Sequence, residues 1–236
     1  MMKLLTFRDF YMNLSSSIKS TIFITIVLVI VILIISKKLD KYKYTDKPTG
    51  IIVILEWLIG GINDMCKSII GRPYRKIAPY VTTLAIFLFV ANISGLFGLT
   101  PPTASVSCTL TLGIMTFTVI QMTGIKYQGL GSYLKGYIDP NPIFLPINLI
   151  GEIATPFSLG LRLFGNILSG SVIMALIYSV MGFGAIAVAP VLHCYFDIFS
   201  GFIQTLVFCT LTTMFVAGKL PDEEVDYFDT NEEVLN

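Results

Sequence analysis

The chain has 236 residues, of which 54% are hydrophobic and only 13% charged, and its mean hydropathy is +0.78. Soluble domains carry about 25% charged residues, so most of this surface is not built to face water. The net charge of +1 leaves no broad basic face for nucleic acid.

Residues 1–19 are mixed in character and carry Lys3, Arg8, Asp9 and Lys19. The run at 20–36 is solid Ile, Val and Leu and is closed by Lys37 and Lys38, with no small-residue cleavage site before the lysines. It reads as a retained membrane helix rather than a removed signal peptide. Residues 37–76 form a basic loop around Ile51–Ile70, where aliphatic residues and Trp57 alternate with Glu56, Asn63, Asp64 and Lys67. That stretch is too polar to span and predicts a helix lying in the membrane interface.

Apolar runs follow at Ile77–Leu99, Ser105–Gly124, Pro146–Met181 and Phe183–Leu220. A perpendicular span needs about 20 residues, so the last two runs predict long helices that are tilted, bent or broken. The expected fold is all-α: a polytopic membrane protein with five inserted helices and one interfacial amphipathic helix. Segments 1–19 outside, 20–36 spanning, 37–76 cytoplasmic, 77–220 as the membrane-embedded domain and 221–236 as a tail complete the expected plan.

Short-loop lysines and arginines set orientation. Lys37, Lys38, Lys41, Lys43 and Lys47, then Arg72, Arg75 and Lys76, belong on the cytoplasmic side, as do Lys126 and Lys135. Five crossings then put the N-terminus outside and the C-terminus inside. Seven acidic residues in 222–236 make that end a solvated acidic tail. Cys66, Cys108, Cys194 and Cys209 form no CxxC pair and read as buried thiols, not a disulfide framework.

The ionisable residues inside the last two runs are few: Glu152 and Arg162, then His193, Asp197 and Lys219. Mid-membrane arginine costs roughly 2.5–3.5 kcal/mol on insertion scales. Arg162 is about 16 residues from one end of its run, roughly 24 Å of helix at 1.5 Å per residue, too far to snorkel. It cannot shed its proton either. Thr155, Ser158, Arg162, Asn166 and Ser169 recur at helical spacing as one polar stripe; His193, Asp197, Ser200, Gly201 and Gln204 form another. Such stripes could line water-filled half-paths or could be interhelical glue. Glu152 sits about 80° around the helix from Arg162, so the two are not expected to pair. The chain has no GxxxxGK[ST] and no metal-ligand spacing, so neither cofactor nor metal is expected.

The run Pro156-Phe157-Ser158-Leu159-Gly160-Leu161-Arg162-Leu163-Phe164-Gly165-Asn166 resembles the signature of the ATP synthase subunit a family, bacterial type. Asn92-Ile93-Ser94-Gly95-Leu96-Phe97-Gly98-Leu99-Thr100-Pro101 and Phe196–Gln204 resemble its second and final spans. The resemblance implies an ion-translocating subunit, itself non-catalytic, of the H⁺- or Na⁺-transporting F-type ATP synthase of the cell (inner plasma) membrane. It implies two half-channels beside a c-subunit ring, a b-subunit peripheral stalk and the rest of the complex as partners. By the same resemblance Arg162 matches the essential arginine and Asn166 its polar neighbour. Gln204 matches the final-helix glutamine, and Asp197 a half-channel position. Asn92 matches an outer-side polar position. Where many bacterial members have Glu, this chain has Ser171, and Asp197 would supply the carboxylate. Glu152 and His193 join the half-channel candidates. The competing reading is a secondary transporter or ion channel with its own intramembrane site.

Overall fold

A computed structural model describes residues 15–39, 50–138, 141, 143 and 145–221. Most of the N-terminal segment, Lys41, Lys43 and Lys47, and the acidic residues of 222–236 lie outside the described residues.

All regular structure among the described residues is helical. Helix α1 is Ser16–Leu39, α2 Ile51–Ile70, α3 Tyr74–Ile93, α4 Val106–Gln128, α5 Leu130–Gly136, α6 Leu145–Met181, α7 Ala185–His193 and α8 Ser200–Ala217. A π-helical turn, Cys194–Phe199, joins α7 to α8. Tight 3₁₀ turns occupy Ser94–Phe97, Pro102–Ala104 and Gly182–Gly184. Five stretches are long and apolar enough to cross a membrane: Ser16–Lys38, Tyr74–Phe97, Val106–Gln128, Leu145–Met181 and Ala185–Ala217. The last two have 37 and 33 residues, well beyond one perpendicular span.

Local chemistry explains the breaks. Gly71, at φ 76° and ψ −143°, takes a positive-φ conformation open to glycine that ends α2 and turns the chain into α3. The Gly98 turn does the same after Ser94–Phe97, and Pro101 and Pro102 then prevent α3 from running on into α4. Helix α2 exposes Trp57 and Ile54 at 77% and 65% while burying Cys66 and Ile70, so its apolar residues serve two surfaces.

The chain forms two compact units. One comprises Met1–Asp46, Phe87–Thr109 and Leu161–Gln204; the other comprises Lys47–Ile86, Leu110–Gly160 and Thr205–Asn236. The second holds a core of Cys66, Ile70, Ile77, Ala78, Val81, Ile120, Cys209, Val216 and Leu220. Within it α4 meets α6 so closely that a Cβ on Gly113 would lie 2.4 Å from the Pro156 carbonyl oxygen. In the first unit, a Cβ on Gly201 would lie 2.9 Å from Asn92 Cβ. Both glycines are where backbones must approach, the usual device for helix association in lipid. Cys194 is exposed and Cys108 only half-buried, unlike the buried Cys66 and Cys209.

Candidate functional site

In the first unit the second half of α6 presents Arg162 on an exposed face with Leu161, Gly165 and Leu168. Its guanidinium makes no hydrogen bond or ion pair with any other described residue. One turn on, Asn166 Oδ1 accepts from Ser200 Oγ at 2.8 Å, tying α6 to the start of α8.

Beside this contact lies a cavity of about 330 Å³ whose walls include Asn166, Ser171, His193 and Asp197. Gly95, Gly98 and Pro101 close it from the turn after α3. The π turn places Asp197 here: one extra residue per turn shifts the side chains that follow relative to a regular α-helix. Phe196 packs over Gly170, where a Cβ would stand 3.6 Å from it in ordinary contact. His193 Nδ1 is 2.7 Å from Asp197 Oδ2, and His193 Nε2 is 2.9 Å from Tyr178 Oη. With a carboxylate on Nδ1, that nitrogen carries the proton. In that tautomer a neutral ring accepts the Tyr178 hydroxyl at Nε2, whereas a charged ring donates to it. Phenol, imidazole and carboxylate thus form a continuous donor–acceptor row.

Asn92 is 1% exposed and is not part of the cavity wall. Its Oδ1 accepts from Thr103 Oγ1 at 3.1 Å, and its Nδ2 donates to the Gly201 carbonyl at 3.3 Å. Its amide is occupied by packing. Gln204 is buried, and its Nε2 has no hydrogen-bond partner among the described residues. A buried, unsatisfied amide costs about 1–3 kcal/mol.

Glu152 belongs to the second unit. It forms an ion pair with Lys219 and accepts from Gln121 Nε2 at 2.6 Å. Tyr133 donates to Gln121, and the Tyr133 and Tyr137 hydroxyls are 2.7 Å apart. Glu152 and Lys219 share the wall of a cavity of about 530 Å³ with Tyr133, Tyr137, Asn148 and Thr155. Burial pushes both phenols above their ordinary pKa, Tyr133 the further. Among the described residues, no three His, Cys, Asp or Glu side chains gather as metal ligands would.

The eight sequence candidates therefore fall into distinct settings. Asn166, Ser171, His193 and Asp197 share one cavity, Arg162 is exposed on the helix that carries two of them, Asn92 and Gln204 are buried, and Glu152 has a cavity of its own. Sequence reasoning missed Tyr178, Gln121, Tyr133 and the pairing role of Lys219. Tyr178 offers no signal, being one aromatic among many. Lys219 carries one: a lysine at the end of an apolar run with a membrane carboxylate elsewhere in the chain.

Residues 20–217 match the family described as ATP synthase A chain. The chain is 34% identical over 182 residues to "ATP synthase subunit a 2" of Acaryochloris marina, covering 77% of this chain and 76% of that one. It is 33% identical to "ATP synthase subunit a" of Limosilactobacillus reuteri, over 92% of this chain and 98% of the other. It is also 32% identical to "ATP synthase subunit a, sodium ion specific" of Propionigenium modestum, over 72% of this chain and 63% of that protein.

Proposed function

This chain belongs to the ATP synthase A chain family, and from that premise we propose that Arg162 is the fixed charge at which ions pass between the chain and a rotating ring of c subunits. It is a multi-pass membrane protein of the F-type ATP synthase, acting in ion transport for ATP synthesis. A ring carboxylate that comes to face Arg162 stays ionised, because a neighbouring cation lowers its pKa. Away from Arg162 it takes up an ion and turns through lipid as a neutral group.

The observation that carries this reading is the exposed guanidinium with no partner among the described residues. An arginine engaged in internal structure would be paired; this one is left available to a partner outside the chain. Ions reach the ring from outside by way of the cavity bearing Asn166, Ser171, His193 and Asp197, and leave inward past Glu152. In chain order along α6, Arg162 stands between Glu152 and Asn166, so its charge separates the two routes and blocks a direct leak. The N-terminus lies outside and the C-terminus in the cytoplasm, with the b-subunit stalk as a second neighbour. The electrical part of the drive is about 2.3 kcal/mol per elementary charge per 100 mV.

The test is ATP-driven ion pumping in inverted vesicles carrying Arg162→Ala in the assembled complex. Pumping is expected to vanish. Normal pumping would remove Arg162 from the centre of the mechanism.

A further inference from the structure

We propose that Lys219 is a tethered counter-cation that occupies the carboxylate of Glu152, so that the departing ion passes this cavity without being held there. The inference rests on the reading above, in which Glu152 lies on the inward route.

Glu152 and Lys219 have side chains only 18% and 21% exposed, and they stand 67 residues apart in sequence. Both carboxylate oxygens are taken: Oε1 by the Lys219 ammonium, Oε2 by Gln121 Nε2. The lysine is held as well as paired. Gln128 Nε2 donates to its carbonyl at 2.9 Å, which fixes the backbone just beyond α8. Its ammonium lies 5.4 Å and 5.1 Å from the ring centres of Tyr133 and Tyr137, within cation–π range. Gly124 makes this possible, since a Cβ there would stand 2.7 Å from the Tyr133 ring and 3.2 Å from Lys219 Cβ. Four groups around this cavity can titrate: Glu152, Lys219, Tyr133 and Tyr137. The two phenols stay neutral, because burial raises them.

A half-buried carboxylate on an ion route is a trap. Without Lys219, its Oε1 would stand open to any passing cation. A covalently tethered ammonium competes for it at a concentration no mobile ion matches. A proton that lands on Glu152 displaces the ammonium, and the ammonium recovers the carboxylate as that proton moves on. Lys219 is thus a positioning residue that keeps the inward path clear.

The test is ATP synthesis by the assembled complex in proteoliposomes under an imposed gradient. The readout is the ratio of the Lys219→Gln rate to the wild-type rate. One arm lowers pH at the inward face at fixed Na⁺; the other raises Na⁺ there at fixed pH. The ratio is expected to fall about tenfold or more over two pH units, because a vacated carboxylate holds more of the passing ion as that ion's concentration rises, or to fall in the Na⁺ arm if Na⁺ is the coupling ion. Lys219→Arg, which keeps the charge, and Glu152→Gln/Lys219→Gln, which removes the trap, are expected to stay flat. A ratio flat in both arms, or an Arg variant that behaves like the Gln variant, overturns the proposal. Should Lys219→Gln not assemble, Gln121→Leu removes the other donor and should show the same trend more weakly; a flat ratio there overturns it too. Arg162→Ala run in parallel separates the premises: synthesis surviving in that variant breaks the central reading, whereas a dead Arg162→Ala with a flat Lys219→Gln ratio breaks only this one.

Discussion

His193 Nδ1 lies 2.7 Å from Asp197 Oδ2 across the start of the π turn. The other ring nitrogen meets Tyr178, so the carboxylate is one end of a three-group row. If this row delivers protons toward Arg162, Asp197→Asn should slow proton uptake roughly 10²-fold, the lower end of what a positioned proton carrier supplies. Assembly should be unaffected. Passive proton flux through membranes stripped of the catalytic sector measures it, and an unchanged flux would take Asp197 off the path. Tyr178→Phe, which removes only the far hydroxyl, should have a smaller effect.

Arg162→Lys should fail almost as completely as Arg162→Ala. An ammonium can deprotonate when desolvated and lacks the planar, five-donor fork. Coupled synthesis and pumping are the measurements. Activity near the wild-type level would mean that any positive charge suffices at this position.

Gly201→Ala should destabilise the first unit by about 1–3 kcal/mol, the usual cost of overpacking. The new Cβ would stand 2.9 Å from Asn92 Cβ. Asn92→Ala should cost a similar amount, about 1–3 kcal/mol, by leaving the Gly201 carbonyl without its side-chain donor and Thr103 without its acceptor. Thermal unfolding of the purified chain reads both. If Asn92→Ala stopped ion flux with stability unchanged, its role would be in the ion path rather than in packing.

Tyr133 and Tyr137 should titrate late. Burial holds both above the ordinary phenol value of about 10. Because the folded values are raised, the stability linked to these groups is intact below about pH 10. It is lost as pH climbs from there through the folded values, since the unfolded chain then loses protons that the native state retains. Ultraviolet tyrosinate absorbance against pH should therefore show a late component, reduced in Tyr133→Phe. A Tyr133→Phe curve superimposable on wild type after scaling for one ordinary tyrosine would contradict it.

The sequence made the membrane architecture legible because hydropathy is local. Apolar runs at 20–36 and 77–99 announced helices whose observed spans, Ser16–Lys38 and Tyr74–Phe97, differ only at their ends. Lysines near those ends can reach polar surroundings, so helix continues past the apolar limit. The distance of Arg162 from both ends of its apolar run was equally legible, since rise along a helix fixes how far a side chain can reach. The π turn was not, because the helical stripe from His193 to Gln204 assumed one unbroken period.

What the chain alone determined about this protein is which segments prefer lipid and where a permanent charge interrupts them; both follow from transfer energies that add residue by residue. Only the tertiary structure decided who meets whom. It set Lys219 against Glu152 across 67 residues, took Asn92 for packing against Gly201, and brought Tyr178 to His193. The physical reason is that a hydrogen bond or ion pair depends on two positions at once, and packing brings those positions together only after the helices exist.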